Sequence, residues 1–190
     1  MLFTLQEIFD AIIMTLAVGF IFKDFFDDYV PKKNYDPLKS RPLQLEGLWL
    51  SVALTAPAIV LHELCHKLVA LAFGLTATFH AAYTWLAIGI VLKLVNFPFL
   101  FFVPGYVAIL GPASPLIHSL IAFAGPGLNL FLWLVPFAIY KFVKIKKRRH
   151  LALIMLTSRI NMFLFIFNML PIPGFDGWTV YSGIFQTFFR

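Results

Sequence analysis

Long apolar runs, separated by short polar stretches, dominate the chain. A bilayer core requires about 20 mostly apolar residues per spanning helix, and residues 48–74, 116–140 and 151–170 each reach that length. A shorter apolar run at residues 8–22 predicts a further, N-terminal helix. The pattern therefore predicts an all-α integral membrane protein with about four transmembrane helices, in which the N-terminal helix is added to a three-helix core.

Two other stretches break this helical pattern. Residues 23–46 are polar and rich in proline, which predicts an aqueous loop. Residues 75–115 are apolar but are interrupted by prolines and glycines, which favours short strands or re-entrant pieces over one long helix. Because strands at membrane depth must have their backbone groups paired or shielded, we expect this segment to pack against the helices near one interface.

Composition supports a lipid environment. Of the 190 residues, 61% are hydrophobic and 13% are charged, whereas soluble domains carry about 25% charged residues. The sequence shows neither a linker nor an internal repeat, so residues 1–190 are predicted to form a single domain of a multi-pass protein in the cell membrane. The net charge of +6 comes largely from the basic stretch at residues 144–149. A lipid headgroup layer is therefore a better counterpart than nucleic acid.

Candidate chemistry lies inside the first long run, where residues 62–66 are His-Glu-Leu-Cys-His. Successive residues of an α-helix are about 100° apart, so His62 and His66 project from one face one turn apart, as two imidazoles must to hold one ion. Catalytic zinc sites usually have three protein ligands and leave the fourth position to water. Asp176 is the best third candidate, because Pro171 and Pro173 break the last run just before it and allow its carboxylate to point inward.

Three motifs together resemble the site-2 protease family of intramembrane zinc metalloproteases. The first is His62-Glu63-x-x-His66, and the second is Gly125-Pro126-x-x-Asn129 in the next long run. The third combines Asn168-x-x-Pro171 with Asp176-Gly177. They occur in the order of the family and span residues 48–178, with one departure: Cys65 stands where glycine is common, and we interpret it as a packing residue.

The resemblance implies an activity and a site. One Zn²⁺ per chain would be held by His62, His66 and Asp176, in a segment at residues 171–178, and Glu63 would be the general base. Asn168 would lie near the metal and bind substrate or stabilise developing negative charge. The implied function is cleavage of transmembrane segments of substrate proteins, as in regulated intramembrane proteolysis. The substrate would unwind and could pair with an edge strand formed within residues 75–115.

Other interpretations remain open at this stage. A non-catalytic transporter, or a scaffold that binds transmembrane clients, could retain the same metal site. Glu63 and Lys67 are four residues apart and could form an intrahelical ion pair while the histidines only donate hydrogen bonds. Gly125 and Pro126 could simply allow two helices to approach closely, with Asn129 as an interhelical hydrogen-bonding group.

Two features concern charge at the membrane. Arg159 lies in the middle of the last long run, where it is expected to pair with an acid or to snorkel towards the headgroups. The basic loop at residues 141–150 is predicted to be cytoplasmic by the positive-inside rule. The resemblance implies the opposite orientation for this loop, so both orientations stay open.

Overall fold

The computed structural model describes residues 2–27, 45–97 and 103–189. In these ranges the order of elements is α1 (Leu5–Asp27), α2 (Leu45–Ala72), β1 (Thr76–Ala81), α3 (Tyr83–Leu94), β2 (Gly105–Leu110), α4 (Pro115–Phe142), α5 (Arg148–Asn168) and α6 (Asp176–Phe189). Most of the predicted aqueous loop lies outside the described residues. Its first residues are helical instead, because Phe26 continues the apolar face of α1 and packs with Leu54 and Leu156.

Four of the described helices are long and apolar enough to cross a membrane: Leu5–Phe26, Gly47–Ala72, Pro115–Phe142 and Arg149–Asn168. Large apolar side chains face outward along them, including Phe9, Trp49, Phe131 and Ile166. In water such exposure would be costly, since each side chain would keep its apolar surface hydrated. The predicted fold class, an all-α multi-pass membrane protein, is confirmed.

The broken region between α2 and α4 contains a small antiparallel sheet. β1 pairs with β2 from Thr76↔Leu110 to Ala81↔Gly105, and α3 lies between the two strands in the sequence. Short strands were predicted here, whereas the three-turn helix α3 was not. Its sequence contains several good helix formers after Tyr83, which explains why it is helical despite Gly89 in its interior.

Two buried carboxylates of α1 occupy the outer edge of β1. Glu7 Oε1 accepts a hydrogen bond from the Phe79 N–H at 2.8 Å, and Asp10 Oδ2 accepts one from the Ala81 N–H at 3.2 Å. Glu7 also forms an ion pair with Lys67 of α2, and both side chains of the pair are buried. Among the described residues Lys67 thus pairs with Glu7, and the alternative of an intrahelical pair with Glu63 is wrong.

Asp10 has a further partner in α3. The Tyr83 hydroxyl donates a hydrogen bond to Asp10 Oδ1 at 2.6 Å. Donation to a carboxylate stabilises the protonated phenol, so this hydrogen bond raises the pKa of Tyr83 above its ordinary value. α1, β1 and the start of α3 are therefore joined by polar contacts that centre on Glu7 and Asp10, both of which are buried.

Apolar packing joins the same elements. Met14 and Val18 of α1 contact Ile59 of α2 together with Phe79 of β1 and Leu86 of α3. On its other side α2 packs against α4, and α4 in turn packs against α5 and α6. α2, which carries His62 and His66, consequently lies between the α1–sheet unit and the C-terminal helices.

Lys67→Met should destabilise the protein strongly, because it leaves the buried Glu7 carboxylate without its counter-charge. Breaking one partner of a buried pair costs about 3–5 kcal/mol. Denaturant unfolding in detergent, followed by circular dichroism, would measure the loss. Lys146→Met is the matched control, since Lys146 is exposed. Equal stability of the two variants would contradict this account, and Glu7→Gln added to Lys67→Met should restore part of the loss.

Candidate metal centre

Three side chains from distant parts of the sequence converge at the centre of the molecule. His62 and His66 project from α2, and Asp176 is the first residue of α6. The distance between the two Nε2 atoms is 3.0 Å. Asp176 Oδ2 lies 3.1 Å from His62 Nε2 and 3.3 Å from His66 Nε2. The structure therefore brings together the three residues predicted as metal ligands.

Hydrogen bonds fix which nitrogen of each imidazole carries the proton. His66 Nδ1 lies 2.7 Å from the Ile121 carbonyl oxygen, which can only accept, so Nδ1 is the donor. His62 Nδ1 contacts Asn129 Oδ1. The Asn129 amide nitrogen donates to the Ala58 carbonyl and to Asn161 Oδ1, so its oxygen is the group that faces His62. In both neutral rings Nε2 is consequently unprotonated.

Two unprotonated nitrogens and a carboxylate oxygen thus face one another in a buried place. Three acceptors at these distances repel one another unless a metal cation lies between them or one imidazole takes up a proton. Ligand atoms about 2.0–2.2 Å from zinc in a tetrahedral arrangement are roughly 3.3–3.6 Å apart, a few tenths of an ångström from the three separations given above. An Nδ1–H donated to a carbonyl is also the usual way in which proteins orient histidine ligands. The donor set fits a zinc ion.

Gly125 of α4 makes room for this arrangement. A Cβ atom at that position would lie 2.4 Å from His66 Nε2 and 2.6 Å from His62 Nε2. No side chain larger than hydrogen can be placed there without moving the imidazoles. The interpretation that Gly125 allows close approach is thus correct, and the groups that approach it are the Nε2 edges of both imidazole rings.

Asp176 reaches the histidines because the chain turns sharply after α5. Gly174 has a φ of 95°, in the left-handed region that favours glycine. Gly177 is packed so closely against the end of α5 that a Cβ would lie 2.5 Å from the Met169 carbonyl carbon. Asp176 thus supplies the candidate ligand. Gly177, which has no side chain, allows α6 to begin in contact with the α5 backbone.

The three side chains open onto a cavity of 610 Å³. Glu63 lines it beside the histidines, and Asn168 and Arg159 of α5 line it as well. The Asn168 amide donates to the Leu164 carbonyl at 3.0 Å, which leaves its oxygen and one N–H for another partner. Most of the remaining wall is apolar and aromatic, so the cavity combines a polar end with a surface suited to an apolar segment.

The second strand presents a free edge to this cavity. Since the Phe79 and Ala81 N–H groups point to α1, the alternation of an antiparallel ladder directs those of Thr78 and His80 to β2. By the same alternation, Gly105, Val107 and Ile109 turn their backbone groups away from β1. All three line the cavity, and within the described ranges no other strand pairs with them.

Sequence reasoning found part of this site and missed part. His62, Glu63, His66, Asp176 and Asn168 all lie at the cavity, as their motifs predicted. Asn129 is the interhelical hydrogen-bonding group that was expected, but its contact with His62 Nδ1 was missed. Its Gly-Pro-x-x-Asn spacing is the signal that could have found it, because Asn129 follows Gly125 by one helical turn and so lies on the same face of α4.

A comparison with known proteins agrees with the chemistry of these side chains. The chain is 35% identical over 176 residues to the "Putative zinc metalloprotease MJ0611" of Methanocaldococcus jannaschii, a match that covers 92% of this chain and 83% of its relative. The chain belongs to the family of that zinc metalloprotease. No family model and no solved structure matches this member of the metalloprotease family.

Gly125→Ala should abolish metal binding by this zinc metalloprotease homologue, because the new methyl group would occupy the space next to both Nε2 atoms. Zinc content of the purified protein, measured by elemental mass spectrometry, should fall from about one per chain to near zero. Gly127→Ala is the matched control on the same helix, since its Cβ would meet only the Phe123 ring at 3.3 Å. Full zinc occupancy in Gly125→Ala would refute the geometry described here.

Proposed function

We propose that this protein is an intramembrane endopeptidase of the site-2 protease type, which hydrolyses peptide bonds in transmembrane segments of other proteins. The convergence of the two Nε2 atoms and the Asp176 carboxylate within 4.8 Å of one another, in a molecule with four membrane-length helices, carries this proposal. Membership of a zinc metalloprotease family supports the hydrolytic part. The depth of the site in an apolar fold supports the intramembrane part.

His62, His66 and Asp176 would hold one Zn²⁺, which when bound activates water and polarises the scissile carbonyl. Glu63, next to His62 on the cavity wall, is the general base in this proposal. It takes a proton from the attacking water and returns it to the leaving amine. Asn129 and the Ile121 carbonyl hold the imidazoles in the tautomer that this arrangement requires.

Asn168 is the candidate for contact with the substrate. Its amide is fixed at one N–H by the Leu164 carbonyl, and the side chain lines the same cavity as Glu63. A second N–H is left for a substrate oxygen. A positioned amide of this kind stabilises negative charge that develops on the carbonyl oxygen during attack.

The free edge of β2 is the proposed docking site for the unwound substrate. An added strand would form hydrogen bonds with the backbone of Gly105, Val107 and Ile109, a mode of peptide recognition that is insensitive to side-chain identity. Hydrolysis requires an extended backbone, because a peptide carbonyl inside a helix is shielded by its own turn. Strand addition along the cavity would hold the substrate in that extended state beside Glu63.

The partners follow from this activity. The substrate is a transmembrane protein, and the lipid bilayer, in the cell membrane, surrounds the enzyme. The basic stretch between α4 and α5 suits lipid headgroups, since Lys144, Lys146 and Lys147 are largely exposed there. No role with nucleic acid is proposed.

Glu63→Gln should retain zinc and lose activity, because the amide cannot accept the proton of the attacking water. The expected fall in kcat is about 10²- to 10⁴-fold, measured by cleavage of a transmembrane peptide in detergent or liposomes. His66→Ala should lose both zinc and activity. Wild-type activity in Glu63→Gln would favour a non-catalytic client-binding protein instead.

Val107→Pro tests strand addition. It removes one outward N–H without disturbing the bonds between β1 and β2, since proline is tolerated at a sheet edge. Loss of one hydrogen bond to the substrate should lower kcat/KM roughly 3- to 10-fold. Val107→Ala keeps the N–H and is expected to lose much less. Equal losses in the two variants would indicate that Val107 acts only through its side chain.

A further inference from the structure

Arg159 carries a charged side chain that has no role in the proposed mechanism. It lies in the middle of the span formed by α5, and its side chain is exposed and lines the cavity that contains the metal centre. Within the described ranges Arg159 forms no ion pair or hydrogen bond with another side chain. Ionisable residues at this depth are costly and normally pair with a counter-charge. This one is left available to a ligand.

The depth of Arg159 relative to the histidines follows from packing. Leu156 contacts Leu54, and Leu164 contacts the group of residues around Ile59, so α5 runs alongside α2 in the same direction. Arg159 lies between those two contacts, which places it four to seven residues before His62 along α2. With a rise of 1.5 Å per residue, the separation along the helix axis is about 6–10 Å.

The cavity wall around Arg159 is apolar and aromatic. Phe163 and Phe167 follow it at four-residue intervals on the same stripe of α5, and their rings are stacked with centroids 5.3 Å apart. Phe167 in turn contacts Phe175, whose ring centroid is 4.9 Å away and which directly precedes Asp176. A guanidinium at one end of such a stripe and a carboxylate at the other define two ends of one binding surface.

We propose that Arg159 is a specificity-determining residue that binds an acidic side chain of the transmembrane substrate. This inference rests on the proposed protease function and adds to it a preference among substrates. A guanidinium presents a planar fork of N–H donors that matches a carboxylate in two parallel hydrogen bonds. Phe163 and Phe167, which line the wall beside Arg159, would place an apolar surface next to such a pair.

The position of the acidic residue follows from the axial separation. An extended substrate advances about 3.3 Å per residue, so the acid should lie about two to three residues from the scissile bond. Gly105 is the end of β2 nearer to Arg159. A Cβ on Gly105 would contact Met14, which packs with Ile59, and this group lies on the Arg159 side of the histidines. The acid is therefore expected on the side of the substrate that lies beyond Gly105.

A substrate series separates this proposal from the function on which it rests. Transmembrane peptides with Asp, Asn or Lys at successive positions would be cleaved by wild type, Arg159→Gln and Arg159→Glu in neutral detergent. Wild type should prefer Asp over Asn by tenfold or more in kcat/KM at one position. Arg159→Gln should lose that preference, and Arg159→Glu should favour Lys. Arg149→Gln is the matched control, an exposed cation at the start of α5 that does not line the cavity.

Binding to the inactive Glu63→Gln protein gives the second measurement. Charge-dependent affinity that disappears with Arg159→Gln would support the inference even if no peptide is cleaved, in which case only the protease function fails. Cleavage with no charge preference at any position would overturn the inference and leave the protease function intact. An effect of Arg159→Gln that appears only with anionic phospholipid present, equally for all peptides, would assign Arg159 to a lipid phosphate and overturn it too.

Discussion

At membrane depth a polar group has no water to bind, so it must find its partner within the protein. This constraint organises the molecule around α2. Lys67 is satisfied by Glu7 on one side, and the Nδ1 atoms of His62 and His66 are satisfied by α4 on the other. What remains after all these pairings is a set of acceptors without a donor, and these atoms form the candidate metal centre. Because their Nε2 atoms carry no proton, the two neutral imidazoles can bind a cation together with the carboxylate.

The two strands of the sheet satisfy this constraint to different extents. Every strand edge inside an apolar environment needs a partner, and β1 obtains one on both sides, from β2 and from the carboxylates of Glu7 and Asp10. Within the described part of the chain, β2 has a strand partner, β1, on one side and none on the other. The unsatisfied edge and the unsatisfied acceptors face the same cavity, which is why a peptide backbone and a zinc ion are the two occupants that the arrangement suits.

Sequence patterns predicted what depends on local periodicity. The four long helices follow from apolar runs, and the facing of His62 and His66 follows from their spacing. Asp176 was found because two prolines precede it, although its place at the start of α6 was not. Long-range pairings such as Glu7 with Lys67, or Asn129 with His62, could not be predicted, because several polar residues were equally available and only packing selects among them.

The order in which the chain is synthesised adds a consequence. Asp176 follows His62 by 114 residues and belongs to α6, which packs on α4 where Gly183 meets Ser119. Before α6 packs on α4, the two imidazoles lack the Asp176 carboxylate as their third candidate ligand. The candidate metal centre can therefore form only after the last helix of the described chain has been synthesised.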